Sequence, residues 1–167
     1  MREYGDYIRE TKRLLQNYNK MKVAALNLTE EIKAQENLLR DESIASVRYG
    51  EDGVQSGRGE FTTVEAAAVR RLRIVEHVED MRRRLDEITA TMRAVDNALE
   101  LLDEVEKEVI RARYMDGMTW AEAARHVSYT ERWAKVRGRK ALRDVALMLF
   151  GVLMRPMQLK LYHEKKP

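Results

Sequence analysis

"MTWAEAARHVSYTERWAKVRGRKALRDV", residues 118–145, sets seven Lys or Arg against two Glu and one Asp in a stretch that also holds both tryptophans of the chain. Its pattern is that of two helices around a tight turn. Thr119 with Glu122 three residues on has the spacing of a capping box, in which a hydroxyl and a carboxylate satisfy the free amides of a helix start. Ala121, Ala123 and Ala124 are small enough for a second helix to approach closely, and the three residues "VSY" leave room only for a turn. The next helix is expected to start at Thr130 or, on the spacing Ser128 to Glu131, slightly earlier. Ala134, Gly138, Ala141, Leu142 and Val145 give it an inward stripe at helical spacing. A short helix, a turn and a second helix make the helix-turn-helix pattern.

In that arrangement the second helix enters the DNA major groove with residues near its N-terminus. Here the outward positions carry the charge. Arg132, Lys135, Arg139 and Arg143 are the candidate contacts, with Arg125 and Lys140 placed to reach flanking phosphates and Thr130 and Glu131 either reading base edges or capping. A guanidinium can bond guanine through two parallel hydrogen bonds, whereas lysine at a phosphate mainly positions the protein. A basic helical hairpin without a DNA role is the competing reading.

Working outward, "EVEKEVIRARYMDG", residues 104–117, has apolar residues at helical spacing (Val105, Val109, Ile110, Ala112, Tyr114) and a stop at Gly117. The formal charge divides along the chain: residues 1–103 carry 17 Lys/Arg against 20 Asp/Glu, and residues 104–167 carry 14 against 8. That asymmetry suggests a polyanion-binding part joined to a part with another task.

The first part reads as long helices, since the only prolines are Pro156 and Pro167. Tyr4, Tyr7, Thr11, Leu14, Tyr18, Met21, Ala25, Leu28, Ile32, Gln35 and Leu39 alternate steps of three and four, a heptad seam over about residues 3–40. A second seam runs Ile74, Val78, Met81, Leu85, Ile88, Met92, Val95, Leu99 and Leu102, in a helix starting after Thr62 or Thr63. Between them, about residues 41–60 hold glycines and small polar residues and read as a flexible connection. The seams fit either a hairpin within the chain or a coiled coil with another copy. "MRRRLDE", residues 81–87, is flanked by Glu76, Glu79 and Asp80 and reads as a solvated, salt-bridged face.

Several function classes find no support. The chain has no cysteine, so thiolate chemistry and Cys-ligated zinc are excluded, and the composition suits a reducing cytoplasm. His77, His126 and His163 lack metal-ligand spacing, no nucleophile elbow occurs, and "GRG" lacks the spacing of a phosphate loop. Neither an enzyme nor a cofactor is expected. The start of the chain shows no secretory signal, and the apolar run Val145 to Met154 is about half the ~20 residues that span a bilayer, so no membrane association is expected.

Residues 102–146 resemble the region-4-type helix-turn-helix of sigma factors. They are more closely similar to bacteriophage late-gene transcription regulators of the ArpU/RinA type, through "RYMDGMTWAEAARHVSYTER" and the downstream "KALRDV". Two departures stand out: Arg137 falls where that family usually has an apolar residue, and Ser128 replaces a common turn glycine. Trp133 is therefore expected to pack in the space Arg137 leaves, with Trp120 and Tyr114 in the core. The resemblance implies an all-α protein whose partners are double-stranded DNA and bacterial RNA polymerase, in the cytoplasm of a bacterial host. The expected organisation is an oligomerising helical region over 1–103, a helix-turn-helix over 104–155 and a tail over 156–167. A homo-oligomer, dimer or higher, follows from the seams. A terminase small-subunit-like packaging protein, and a coiled-coil scaffold whose basic C-terminus binds a protein, are the alternatives.

Overall fold

The computed structural model describes residues 4–51 and 60–161, with side-chain surroundings for residues 5–41 and 65–151. All described regular structure is helical: α1 (Tyr4–Glu51), α2 (Glu60–Glu100), α3 (Glu104–Ile110), a π-helical turn (Arg111–Met115), α4 (Trp120–His126) and α5 (Glu131–Leu161). The expected all-α class, with long N-terminal helices ahead of a helix-turn-helix, is what the structure shows.

The expected connection over about 41–60 is helical as far as Glu51, and α2 already begins at Glu60, ahead of Thr62. The physical reason is that nothing in residues 41–49 breaks a helix; the first glycine after Gly5 is Gly50. The rest of that connection, residues 52–59, lies outside the described residues. At the other end α5 runs past the expected boundary at 155 to Leu161. Pro156 lacks an N–H and so omits one rung of the ladder, but the helix does not end there.

Two compact units divide the chain: residues 1–22 with 90–167, and residues 23–89. The expected break at residue 103 is not where the contacts divide. In the first unit α1 and the end of α2 are part of the same core as the C-terminal helices. Leu15, Val95, Leu99, Ile110, Leu142 and Val145 are all buried in one cluster. Each such side chain taken from water contributes about 1.5–3 kcal/mol before entropy. Tyr7 and Ala146 form a smaller cluster with Ile8, Leu147 and Phe150, the Tyr7 and Phe150 rings 5.4 Å apart. Part of the apolar run from Val145 is thus used inside the chain. Thr11 sits on this apolar face without penalty, because its hydroxyl donates to the Tyr7 carbonyl at 2.8 Å. Two polar contacts reinforce the seam: Tyr18 donates to Asp96 at 2.6 Å, and the Asn19 amide donates to the Met115 carbonyl at 3.3 Å. Burial first, and then the Asp96 bond, push the Tyr18 phenol up to about 12.

In the second unit Ile32, Val78 and Met81 are buried together, with Leu28, Ile74 and Leu85 packed against them. In both units the two seams therefore face each other within one chain. The "MRRRLDE" segment is the salt-bridged face its flanks suggested: Arg82 pairs with Glu36, and Arg83 and Arg84 with Asp80 at 3.4 and 2.7 Å. No helix among the described residues is long and apolar enough to cross a membrane.

Candidate nucleic-acid interface

The site is built from the ends of short helices. Asp103 caps α3 by accepting from the Val105 amide at 3.0 Å. After Ile110 the ladder widens to a π-helical turn, with the Asp116 amide donating to the Arg111 carbonyl at 3.0 Å. The turn buries both Ala112 and Tyr114, and Gly117 closes it at φ +73, a conformation glycine takes without cost. Thr119 then starts α4. Its hydroxyl accepts from the Glu122 amide at 3.3 Å, and its amide donates to the Glu122 carboxylate at 2.7 Å, the reciprocal box anticipated from the spacing. Those bonds, the backbone one first, hold the Glu122 carboxyl below its ordinary range.

Three amides close the turn between α4 and α5. Val127 donates to Ala123 (3.2 Å), Ser128 to Arg125 (3.1 Å) and Tyr129 to Ala124 (2.9 Å). Ser128 takes φ +60, the left-handed region that glycine enters more readily than an L side chain. Ser128→Gly is expected to raise stability by up to about 1 kcal/mol, seen as a higher midpoint in thermal melts. Thr130, rather than Ser128, caps α5: its hydroxyl accepts from the Trp133 amide at 3.3 Å. The capping alternative for Thr130 is therefore realised.

The two helices cross where small residues allow it. Ala123, Ala124, Ala134 and Gly138 are all buried. A Cβ on Gly138 would lie 2.7 and 2.8 Å from the far edge of the Trp120 ring and 3.0 Å from Val109 Cγ1. Trp120 in turn meets Tyr114 edge to face, with centroids 6.1 Å apart, so the indole has little room to yield. Gly138→Val should cost about 1–3 kcal/mol by overpacking, more than the few tenths it gains in helix propensity. An unchanged melting midpoint would contradict this crossing.

The α5 stripe Ala134, Gly138, Ala141, Leu142 and Val145 is buried as the spacing indicated, which turns the opposite face outward. Arg132, Arg139 and Arg143 are exposed there, and no described carboxylate pairs with them. The other candidate cations are engaged. Lys135 pairs with Glu131 at 2.5 Å. Lys140 pairs with Asp144 at 2.9 Å and Glu106 at 3.6 Å, and the Asp144 bond is the main cause that raises its pKa. Arg125, on α4, is exposed and donates to the Ala121 carbonyl at 3.4 Å.

One residue was not anticipated. Glu106 is only 5 % exposed, and its carboxylate accepts from Arg137 at 3.1 Å as well as facing Lys140, tying α3 to α5. Arg137 therefore leaves no vacated space, because its guanidinium is paired with Glu106. The signal was in the sequence, because Glu106 lies at helical spacing between Leu102 and Val109 and Ile110, on the inward face. The expectation for Trp133 is corrected in the same way. It is outside the buried clusters, stacked on Tyr129 with centroids 3.9 Å apart and rings 12° from parallel, with Arg137 5.7 Å from its centroid. Tyr114 and Trp120 do pack with the core, as expected.

Among the described residues no group of three or more His, Asp or Glu is placed to hold a metal ion. Residues 98–146, less than a third of the chain, match the family model described as Sigma-70, region 4, and the helix-turn-helix they form is similar to that region. No curated protein and no solved structure matches the chain.

Proposed function

We propose that the chain is a sequence-specific double-stranded DNA-binding transcription regulator that reads the major groove with the start of α5. The observation that carries this is the placement of Arg132, Arg139 and Arg143, exposed and without a carboxylate partner among the described residues, on the outward face of the second helix of a sigma-70 region 4-like motif. Glu131 and Glu106 take up Lys135, Arg137 and Lys140 at the flanks, so the free charge is narrowed to one stripe. Arginines with open forks at that position suit base edges and phosphates alike.

The finer reading is a bacteriophage late-gene activator of the ArpU/RinA type. It is supported by the run Arg113 to Arg132, with its Tyr114, Gly117, Trp120 and Tyr129, and by the closing Ala141 and Leu142. On this reading the protein works in the cytoplasm of the bacterial host, meets RNA polymerase at a promoter, and acts as a homo-oligomer on paired half-sites. The Ile74–Leu102 seam is turned toward α1 of the same chain, so self-association would use other surfaces than that seam.

Duplex binding measured against salt concentration tests the reading. Log affinity should fall linearly with log salt with a slope of about −3 or steeper, as release of ions from several phosphates requires. A flat dependence would favour a basic surface for a protein partner.

A further inference from the structure

Val136 belongs to none of the buried clusters of the fold. It is 63 % exposed, while the apolar residues of the inward stripe of α5, Ala134, Ala141, Leu142 and Val145, are at most 2 % exposed and Trp133 is half-buried. A β-branched side chain in a helix interior is a weaker helix former than the lysine or arginine that fills neighbouring outward positions, and here burial in a cluster does not offset that. Its place is specific. Arg132 lies four residues before it, and Arg139 and Arg143 three and seven after, so the valine sits within the stripe of exposed guanidinium groups that pair with no carboxylate among the described residues. It is the sixth residue of α5, within the two turns that follow the Thr130 cap.

We infer that Val136 is a specificity-determining residue, an apolar contact for the 5-methyl group of one thymine in the bound duplex. The inference rests on the proposed reading of α5 as the helix in the groove. In the major groove thymine alone presents a methyl group, and it is read by small apolar side chains rather than by hydrogen bonds. The arginines on either side hold the helix to phosphates and base edges, which brings the valine against the groove floor. An exposed apolar residue among charges costs the free protein little and gains only when that methyl covers it.

The test uses the full chain and duplexes selected from a random pool. The wild-type sites should contain a thymine that sites selected by Val136→Ala do not require, with the other positions unchanged. Replacing that thymine by deoxyuridine, which removes only the methyl, should weaken wild-type binding by about fourfold and Val136→Ala binding much less. Thermal melts of Val136→Ala should match the wild type, since the side chain lies outside every buried cluster. An equal uracil penalty in both proteins, or no thymine lost from the Val136→Ala sites, overturns the role of Val136 and leaves the groove reading standing. Absence of any selected sequence overturns both.

Discussion

Arg132→Ala and Arg139→Ala should each weaken binding to a selected duplex by about 1–3 kcal/mol where the arginine bonds a base. The single substitutions then differ in kind. Loss of a base contact relaxes preference at one position, whereas loss of a phosphate contact weakens all sequences alike and lowers the salt slope by about 1. Both side chains are exposed and pair with no carboxylate among the described residues, so melting midpoints should hold, with stability changing by no more than about 0.5 kcal/mol. Lys135 and Lys140 are the internal comparison. Lys135 is engaged by Glu131, and Lys140 by Asp144 and Glu106, so Lys135→Ala and Lys140→Ala should cost less affinity than either arginine. Fixed-salt titrations in which the lysines matter and the arginines do not would contradict the placement of the interface.

The second large effect is on stability, far from the interface in sequence. Leu15 is fully buried beside Val95, Leu99, Ile110 and Val145, so Leu15→Ala should cost about 2–5 kcal/mol through lost burial and the cavity left behind. Because α1 shares a core with the C-terminal helices, the loss should appear in the melting of the helix-turn-helix itself. Amide exchange should then accelerate in α3 and α5 as well as in α1. If exchange rises only in α1, the N-terminal helix does not belong to that core.

Leu15 also shows where the sequence falls short. The heptad seam was legible, and its positions Tyr7, Thr11 and Ile32 are buried, but a two-helix seam needs only a narrow stripe. In the first unit α1 packs into the core of the C-terminal helices as well as against α2, which widens its buried face to include Ile8 and Leu15. Spacing along one strip of sequence does not reveal a third neighbour. The helix starts and stops of the motif were legible for the opposite reason: Thr119 with Glu122, Gly117 and Thr130 act through bonds spanning a few residues. Glu106, Arg137 and Trp133 were not read correctly because their placement depends on pairing between α3 and α5 or across the turn, with partners as far as 31 residues apart. The π-helical turn at Arg111–Met115 has no composition that marks it.

Enrichment from a pool of random duplexes by the intact protein tests the central claim most directly. The account predicts that a few rounds at moderate salt recover one motif, and that Arg132→Ala or Arg139→Ala changes its information content at defined positions. Recovery of the pool unchanged, or retention that does not depend on sequence at any salt concentration, would contradict it.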